Sequence, residues 1–495
     1  MTATTFHKLS AEIISELSQV CGNDFVKINR DEIENYSHDE TEDLRYFPEA
    51  VVKPRSAEEI SAILKICNRE KIPATPRGAG TGLSGGALAV HCGIIISMER
   101  FNRIIEIDER NLQATVEPGV ITQVFQEAVM EKGLFYPPDP ASKGSCFLGG
   151  NLAECAGGPK AVKYGVTKDY VLNTEVVLPT GEIIMTGANV LKNSTGYNLT
   201  QLIIGSEGTL GIITKIIFRL IPYPKENLLM LVPFSDAAKA CEAVSAIFCA
   251  GHTPSGLEFM ERDCIDFVLK YTSPQPSSPQ PLLLKEKGST ASGNPMEQLK
   301  MNDGNEVAAV LYVEVDGNDK EALMRDCEQI SEVLYQFGCG EILFAETAQQ
   351  KNDLWKMRRS AGEAVKSNSM YKEEDTVVPR AELPELLKGV KAIGHQYGFR
   401  SVCYGHAGDG NLHVNIIKEK MSDDDWNNKV PLGIREIFQL CVSLGGTISG
   451  EHGIGLVQKN YLSIAFNETQ LRVMKEIKNV FDPNGILNPG KIFPD

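Results

Sequence analysis

The residues with the clearest chemical potential are two histidines in one glycine-rich segment. His406 and His413 stand in the run GHAGDGNLHVNI at 405–416. In an unbroken strand, residues seven positions apart face opposite sides, which would separate the two imidazole rings. Gly408 and Gly410 permit a turn between them, because glycine adopts backbone conformations that other residues avoid. The spacing therefore predicts a turn that could bring the two rings together.

A second segment, closer to the C-terminal end, adds a carboxylate. Glu451 and His452 lie side by side between glycines in SGEHGIG at 449–455. Two histidines and one glutamate that leave coordination positions open are a plausible site for a divalent metal such as zinc. The alternative is a set of hydrogen-bonded structural histidines. Because the chain has only 8 histidines and these lie in apolar, glycine-rich segments, we favour a functional role.

A pair of arginines beside a tryptophan suggests how a negatively charged ligand could be bound. The run DLWKMRRS occupies 353–360. A guanidinium near a buried indole ring can bind a carboxylate through two parallel hydrogen bonds. The alternative is a surface helix with ordinary basic residues, and for Arg359 we favour that alternative.

A glycine cluster, PRGAGTGLSGG at 76–86, could surround an anion. Five of its eleven residues are glycine, so backbone N–H groups can approach a ligand without interference from a Cβ atom. Arg77 and Ser84 can add donors. No Gly-Lys-Ser/Thr follows, which excludes a Walker A loop, and the long helical pattern that should follow a Rossmann loop is missing. On its own the loop is equally consistent with a flexible turn.

Short secondary-structure elements surround these segments. A capping box at 56–59 and apolar residues at helical spacing predict a helix at 57–70. Alternation of residue types predicts a strand in which Asn411, His413 and Asn415 share one face. Further elements are expected as strands at 94–97, 104–107, 114–117, 210–220 and 307–315, a hairpin of 171–178 with 183–185, and helices at 121–132, 236–249 and 319–337.

The pattern of expected helices and strands changes near residue 222. Helical and strand-like pieces alternate beyond it, which predicts a second domain of the α+β class. Residues 273–305 begin with a run of Pro, Ser and Gln and continue as a polar stretch. This composition cannot bury enough apolar surface to fold alone, so we expect a disordered, solvent-exposed loop insertion.

Composition limits the class of protein. The formal net charge of −16 over 495 residues disfavours nucleic-acid partners, because an acidic surface repels phosphates. None of the 12 cysteines lies in a C-x-x-C pair, which argues against an iron–sulfur cluster or zinc knuckle made by this chain alone. No apolar signal-peptide core and no 20-residue apolar span occur. We therefore expect a cytoplasmic protein, or one peripheral at the membrane, without an integral membrane segment.

Four further motifs give the glycine loop a context: YPPDPAS at 136–142, LGGNLAECAGG at 148–158, KYG at 163–165 and IGSEGTLGII at 204–213. In this order the motifs resemble the vanillyl-alcohol-oxidase (PCMH-type) FAD-binding superfamily, and most of all its glycolate oxidase flavin subunit and D-lactate dehydrogenase branch. The resemblance implies an α+β, two-domain vanillyl-alcohol-oxidase-type FAD-binding fold with an α+β substrate (cap) domain. The expected parts are an FAD-binding domain at 1–222, a substrate domain at 223–455 and a C-terminal return to the FAD domain at 456–495.

The resemblance also implies which residues bind FAD. The glycine loop would cradle the pyrophosphate, and a second group would line the ribityl and isoalloxazine regions. Members with covalent flavin usually carry a histidine in this loop, where this chain has Thr81, so we expect non-covalent FAD. The loop residues are Arg77, Gly78, Ala79, Gly80, Thr81, Gly82, Ser84, Gly85 and Gly86. The second group is Pro138, Asp139, Ser142, Gly149, Asn151, Gly158 and Ile213, with Asn488 near the cofactor.

Roles in the reaction follow from the same resemblance. His406, His413 and Glu451 match the metal ligands of metal-dependent D-2-hydroxyacid dehydrogenases, for which we expect zinc or manganese. His452 matches the residue proposed as the base. The substrate contacts would be Arg358, which grips the substrate carboxylate, together with Asn415 and Lys372.

These roles imply an FAD-dependent dehydrogenase that oxidises a small D-2-hydroxy acid, glycolate or D-lactate, to the 2-oxo acid by hydride transfer to flavin N5. One alternative is a larger D-2-hydroxy acid such as D-2-hydroxyglutarate, and another is a non-redox reaction like that of alkylglycerone-phosphate synthase. A third is a flavin subunit that is active only within a multi-subunit glycolate oxidase complex. No nicotinamide site is evident, so we expect a quinone or a partner protein as electron acceptor, and an iron–sulfur partner subunit or a homodimer as assembly.

Overall fold

The computed structural model describes residues 5–272, 299, 301 and 304–494. The insertion predicted at 273–305 therefore lies largely outside the described residues. Within the described part of the chain, no helix has the length and apolar content needed to cross a membrane. The twelve cysteines are all described, and all are free thiols.

The helices of the described residues are mostly short. In chain order they are α1 (Ala11–Cys21), α2 (Arg30–Ile33), α3 (Ala57–Glu70), α4 (Thr122–Met130), α5 (Leu148–Glu154), α6 (Ala161–Tyr164), α7 (Leu199–Ile203), α8 (Ala237–Cys249), α9 (Arg262–Thr272), α10 (Lys320–Gln336), α11 (Ala348–Arg359), α12 (Ala361–Asn368), α13 (Leu383–Tyr397), α14 (Asp423–Asn428), α15 (Val430–Ser443), α16 (Leu462–Ala465) and α17 (Glu468–Phe481).

The strands of the same residues form several sheets. In chain order they are β1 (Val26–Lys27), β2 (Ala50–Val52), β3 (Ala74–Arg77), β4 (Ile94–Ser97), β5 (Ile104–Asp108), β6 (Gln113–Val116), β7 (Leu134–Phe135), β8 (Val171–Val177), β9 (Ile183–Met185), β10 (Ile212–Arg219), β11 (Ile221–Pro222), β12 (Glu226–Phe234), β13 (Gly256–Glu261), β14 (Ala309–Gly317), β15 (Leu343–Ala345), β16 (Tyr371–Val377), β17 (Arg400–Gly405) and β18 (Asn411–Ile417).

The chain forms two compact units. Met1–Tyr223 and Ser449–Asp495 make up unit 1, and Pro224–Ile448 makes up unit 2. In unit 1, a sheet in the order β1-β2-β4-β3 has β4 parallel to both of its neighbours, and a second sheet in the order β5-β6-β10-β8-β9 is antiparallel. The strands, the helix and the hairpin expected between 94 and 220 are present.

The predicted helix at 57–70 is α3, and its sequence explains both its start and its packing. Ser56 caps it, because its hydroxyl accepts a hydrogen bond from the Glu59 N–H at 3.2 Å. Ile60, Ile63 and Leu64 lie on one face and are buried in a core that also contains residues of the first sheet. An amphipathic stripe thus places the helix against the sheet whose strand β3 enters the glycine loop.

Unit 2 is built on one seven-stranded antiparallel sheet in the order β15-β12-β14-β13-β17-β18-β16. The expected strand at 307–315 is β14, and the expected helices at 236–249 and 319–337 are α8 and α10. Every residue of β18 is buried, so both faces of this strand are covered. The polar residues on β18 must therefore find partners inside the protein.

The turn between His406 and His413 forms as predicted. Ala407–Asp409 makes a single 3-10 turn after β17, and Gly410 then has φ +77°. A Cβ atom at Gly410 would overlap the carbonyl oxygen of Val378. Glycine is therefore required at Gly410 both for its left-handed backbone and for the close approach of a neighbouring chain segment.

The return of the chain from unit 2 occurs earlier than expected. Unit 2 ends at Ile448, whereas the substrate domain was expected to extend to 455. The N–H groups of Ile454 and Gly455 donate to the carboxylate of Glu207 at 2.8 and 2.6 Å. Leu456 N–H donates to the Ser84 carbonyl oxygen at 2.8 Å. These bonds attach the segment that carries Glu451 and His452 to unit 1.

Two buried carboxyl groups lie beside this return. Burial raises the pKa of Glu154 well above its usual value, and the neighbouring charge of Glu207 raises it further. Burial also raises the pKa of Glu207 to about 7, against the lowering effect of the two backbone N–H groups it accepts. Lys491 has its pKa lowered to about 8, because burial outweighs the attraction of Asp39 and Glu207. The carboxyl pair therefore retains a proton at pH values where free glutamates are ionised.

Replacement of Gly410 by alanine should destabilise unit 2 more than the matched Gly398→Ala. Both glycines have φ +77°, but a Cβ at Gly398 would meet nothing within 4 Å. The left-handed backbone costs about 1–2 kcal/mol in each variant, and only Gly410→Ala adds the overlap with Val378. Urea unfolding of the two variants measures the difference. Equal losses of stability would contradict the requirement for close approach.

The buried pair predicts a pH dependence of stability. The pKa of Glu154 is higher in the folded than in the unfolded chain, so its contribution to stability is full below about pH 4.5 and is lost as pH rises through the folded value. Glu154→Gln, which mimics the protonated acid, should flatten the fall in melting temperature from acidic to alkaline pH. The exposed Glu131→Gln is the control. A wild-type slope in Glu154→Gln would reject this assignment.

Candidate active site

One face of the unit 2 sheet gathers the polar residues that the sequence singled out. His413 on β18 is paired with Asp375 on β16 and Tyr404 on β17, and Asn415 is paired with Glu373 and Val402. Cross-strand partners lie on the same face of a sheet. The predicted shared face of Asn411, His413 and Asn415 is therefore confirmed, and it also carries two carboxylates and a phenol.

The turn at Gly410 brings the two imidazole rings together. The ring centroids of His406 and His413 lie 5.4 Å apart with an interplanar angle of 82°. The Nδ1 atom of His413 is 3.6 Å from Glu373 and 3.8 Å from Asp375. Its ring also lies 5.3 Å from the ring of Tyr404. Two adjacent buried imidazoles backed by carboxylates match the donor chemistry of a divalent metal site.

Glu258 is the residue that sequence reasoning missed. Both of its carboxylate oxygens lie at 2.8–2.9 Å from Nδ1 of His406, and Oε2 is also 2.6 Å from Nη2 of Arg358. Burial alone would raise the pKa of Glu258, but the neighbouring His406 and Arg358 together lower it. The signal in the sequence was that the otherwise apolar strand β13 carries two carboxylates, Glu258 and Glu261, and nothing in the sequence indicated the partners of Glu258.

Arg358 is buried at the end of α11. The helix begins with a capping box in which Thr347 and Gln350 exchange side-chain and backbone hydrogen bonds. The Arg358 side chain is 7% exposed, and its guanidinium lies 5.1 Å from the ring centre of Tyr404. Neither its Nε nor its Nη2 has a hydrogen-bond partner among the described residues, so the 2.6 Å contact between Nη2 and Glu258 is an ion pair. The guanidinium therefore has one face paired with Glu258 and a donor left for a ligand.

Its neighbour in sequence, Arg359, is only half-buried and lies over the ring of Trp355 at 5.4 Å. Trp355 itself is buried, as the sequence suggested. This position agrees with an ordinary packing role for Arg359.

Asn415 and Lys372 were both expected to contact substrate, but they lie on different faces of the sheet. Asn415 is fully buried, and neither its amide nitrogen nor its amide oxygen has a hydrogen-bond partner among the described residues. Lys372 is paired with Ile416 on the opposite face, where its Nζ lies 5.6 Å from the ring centre of Trp426. Because side chains alternate along a strand, Lys372 does not join the cluster around His413.

In unit 1 the glycine loop follows β3. Gly82 has open space where a Cβ would stand, and Ser84 has a buried hydroxyl without a hydrogen-bond partner among the described residues. Arg77 points elsewhere: its Nη2 donates to the carbonyl oxygens of Asn35 and His38 at 3.3 and 2.8 Å. The backbone of the loop thus suits an anion such as a pyrophosphate, whereas Arg77 secures the N-terminal segment beneath it.

Several of the other residues expected at the flavin have structural contacts of their own. Asn151 donates to Thr122 Oγ1 at 2.6 Å, and the Pro138 carbonyl accepts from Gln126. Gly149 and Gly158 are packed so closely, against Pro118 and Asp139, that any Cβ would collide. Asp139 accepts the Lys160 N–H, Ile213 is buried in β10, and the Ser142 carbonyl accepts from Cys146 N–H.

Asn488 connects the C-terminal segment to the glycine loop. Its Nδ2 donates to the Gly86 and Glu207 carbonyl oxygens at 3.0 and 2.8 Å, and its N–H donates to the Ala74 carbonyl. Its buried Oδ1 has no hydrogen-bond partner among the described residues, which leaves an acceptor for a ligand. In the same unit, Gly157 N–H donates to Glu451 Oε2 at 3.2 Å, so the carboxylate next to His452 is held by backbone.

Comparison with known proteins identifies the family. Models of an FAD binding domain and of the C-terminal domain of FAD linked oxidases match residues 48–187 and 223–492. A D-lactate dehydrogenase of Anaerostipes hadrus is 37% identical over 494 residues, covering 99% of each chain. The glycolate oxidase subunit GlcD of Bacillus subtilis (strain 168) is 39% identical over 461 residues, covering 92% of each chain.

A solved structure of p-cresol methylhydroxylase with substrate bound has the same fold. Its TM-score is 0.75 at 20% identity, and the match covers 100% of this chain and 99% of that chain. The predicted fold class, the two-domain α+β fold of PCMH-type FAD-binding proteins, is thereby confirmed. The chain belongs to the FAD-linked oxidase family, with the FAD-binding domain and the C-terminal domain that define it.

Proposed function

We propose that this FAD-linked oxidoreductase oxidises a small D-2-hydroxy acid, glycolate or D-lactate, to the corresponding 2-oxo acid. The observation that carries the proposal is the buried cluster on one face of the unit 2 sheet. It combines a guanidinium that keeps a donor available, an amide without hydrogen-bond partners among the described residues, and two adjacent imidazoles. A 2-hydroxy acid offers the matching groups, a carboxylate beside a hydroxyl. The names of the two relatives above, a D-lactate dehydrogenase and a glycolate oxidase subunit, support the same substrate class.

The roles of individual residues follow from these groups. Arg358 binds the substrate carboxylate, because a guanidinium can donate two parallel hydrogen bonds to it. Asn415 supplies an amide to the carboxylate or hydroxyl. His452 removes the hydroxyl proton as general base, a role that imidazole side chains commonly fill. Lys372 is left out of this proposal because its side chain is on the other face of the sheet.

The cofactor of the proposed reaction is non-covalent FAD, which supplies the two-electron acceptor when bound. Its pyrophosphate would be held by the backbone of the glycine loop and by Ser84, with Asn488 nearby. Thr81 offers no imidazole for a covalent link to the flavin.

We further propose a divalent ion, zinc or manganese, bound by His406, His413 and Glu451; such an ion polarises a hydroxyl oxygen when bound. The electron acceptor is a quinone or a partner protein, and we place the enzyme in the cytoplasm or peripherally at the membrane. An iron–sulfur partner subunit or a homodimer remains our proposal for assembly.

Anaerobic reduction of the flavin by a panel of D- and L-2-hydroxy acids tests the substrate class. Glycolate or D-lactate should bleach the oxidised flavin rapidly, and a chelator should slow the reaction. If D-2-hydroxyglutarate is the one acid of the panel that reduces the flavin, the substrate is a larger D-2-hydroxy acid and not glycolate or D-lactate. If no 2-hydroxy acid bleaches the flavin, the proposed activity is wrong.

One relative is named as a subunit, which favours a second candidate, a flavin chain that works only inside a complex. Turnover of the isolated chain with an artificial electron acceptor separates the two. Bleaching without sustained turnover would indicate dependence on a partner.

His452→Ala should leave FAD bound but slow flavin reduction by about 100- to 10,000-fold, the usual contribution of a general base. Stopped-flow absorbance of the flavin measures the rate, and the spectrum before mixing gives the FAD content. The exposed His395→Ala is the control for loss of a histidine in general. Rapid reduction in His452→Ala would reject this residue as the base.

Arg358→Lys should raise KM more than it lowers kcat. Lysine retains the positive charge but cannot donate two parallel hydrogen bonds, and hydrogen bonds to charged groups contribute about 1.5–3 kcal/mol each. A rise in KM of roughly 10- to 100-fold is expected, against little change in Arg359→Lys. Steady-state kinetics with D-lactate measure KM and kcat of both variants. Equal effects of Arg358→Lys and Arg359→Lys would contradict the assignment of Arg358 to the substrate carboxylate.

A further inference from the structure

We propose that Glu258 is a positioning residue shared by the two parts of the site: it sets the tautomer of His406 and holds the guanidinium of Arg358. This inference rests on the proposed function, in which His406 binds a metal and Arg358 binds substrate. Glu258 has no role in the reaction as proposed above. The inference gives it one, which connects metal binding with recognition of the substrate carboxylate.

The geometry around His406 determines which ring nitrogen is protonated. Both oxygens of Glu258 lie within 2.9 Å of Nδ1. An ionised carboxylate accepts hydrogen bonds but cannot donate them, so Nδ1 must carry the proton. In the neutral imidazole the lone pair is then on Nε2, the nitrogen directed away from Glu258 and able to bind a metal. Carboxylates behind metal-binding histidines have this effect in general.

The same carboxylate orients Arg358. Its Oε2 is 2.6 Å from Nη2, and the two side chains are 1% and 7% exposed. Among the described residues this is the ion pair that Arg358 makes. Glu373 and Asp375, two other carboxylates on this face, are instead 3.6 and 3.8 Å from His413. Glu258 is therefore the acid whose contacts span both functional groups.

Glutamine at this position cannot satisfy both neighbours. Its side chain has one acceptor oxygen and one donor NH2 group, whereas His406 Nδ1–H and Arg358 both require an acceptor. If the NH2 group faces His406, Nδ1 must accept and the proton moves to Nε2, which removes the lone pair needed by the metal. If it faces Arg358, a buried guanidinium loses its counter-charge. Either arrangement damages one half of the site.

A purely structural ion pair is the competing explanation, and the same strand provides its control. Glu261 on β13 is also buried and ion-paired, with Lys391 Nζ at 2.6 Å, and it accepts the Cys403 N–H at 2.7 Å. Its closest described partners do not include His406 or Arg358. Glu261→Gln therefore removes a comparable buried charge without altering the proposed positioning.

The experiment compares wild type, Glu258→Gln, Glu258→Asp and Glu261→Gln in the full-length FAD-loaded enzyme. Competition between the enzyme and a chelating dye gives the affinity for Zn²⁺ without turnover. Glu258→Gln should bind Zn²⁺ about 10- to 100-fold more weakly than wild type, and its KM for D-lactate should rise. Glu258→Asp retains the charge on a shorter side chain, so its Zn²⁺ affinity and KM should lie between those of wild type and Glu258→Gln. Glu261→Gln should match wild type in both quantities.

Histidine ring ¹⁵N spectra of the metal-free enzyme supply the decisive signature. His406, assigned through His406→Asn, should be protonated at Nδ1 in wild type, and its tautomer should change or become mixed in Glu258→Gln. A wild-type His406 protonated at Nε2 overturns the proposal, and so do unchanged Zn²⁺ affinity, KM and tautomer in Glu258→Gln. If Glu258→Gln does not fold, the wild-type tautomer and Glu258→Asp decide.

Failure of the proposed function gives a different result. If wild type binds neither Zn²⁺ nor Mn²⁺, the metal is wrong, while the tautomer and KM still test Glu258. If no 2-hydroxy acid reduces the flavin, the proposed substrate is wrong, and the His406 tautomer and the Zn²⁺ affinity still test the positioning role of Glu258.

Discussion

A charge buried inside the unit 2 sheet must be paired where it stands, because taking a carboxylate or guanidinium out of water costs several kcal/mol. Glu258 meets this requirement with two partners of different chemistry, Arg358 from α11 and His406 from the end of β17. The positions of both partners are thus fixed by the two carboxylate oxygens of Glu258 on the central strand β13. Removing Glu258 would take the counter-charge from a buried guanidinium and the carboxylate from His406 at once, so the cluster behaves as a unit rather than as separate contacts.

Backbone structure makes that pairing possible. The left-handed turn at Gly410 returns the chain so that β18 pairs with β17, and this pairing places His413 beside His406. In unit 1, hydrogen bonds from backbone to a carboxylate also hold a loop in place, because Glu207 accepts two N–H groups of the segment that follows His452. In both units a few polar side chains fix the loops that carry the proposed reacting groups, and the hydrophobic cores fix the elements that carry those polar side chains.

Local patterns in the sequence predicted the parts of this arrangement that depend on local physics. The capping box gave the start of α3, the glycines predicted the turn before β18, and alternation gave the shared face of His413 and Asn415. Glu258 could not be found in this way, because its partner His406 lies 148 positions further along the chain. No local pattern encodes such a distant contact.

The directions of two basic side chains also could not be predicted from local sequence patterns. Lys372 was expected to contact substrate, but strand register decides its direction, and its neighbour Glu373 is the residue on the site face. Arg77 was expected at the pyrophosphate, but its guanidinium is bound to backbone carbonyls of the N-terminal segment. A sequence shows that a basic residue is near a glycine loop, but not whether its charge faces the ligand or the protein.

The charges on the site face also bear on how an anionic substrate could bind to a chain with net charge −16. Arg358 contributes one positive charge, and Glu258 offsets it in the ion pair. Glu373 and Asp375 add negative charge beside His413, so with neutral imidazoles this face of unit 2 is acidic overall. A 2-hydroxy acid would be repelled by such a face unless positive charge were added. A divalent ion on the imidazoles would supply it, because an ion bound in a desolvated site is the largest local charge there. In the proposed function the divalent ion would therefore supply positive charge as well as polarise the hydroxyl, and Arg358 would orient the substrate carboxylate more than attract it.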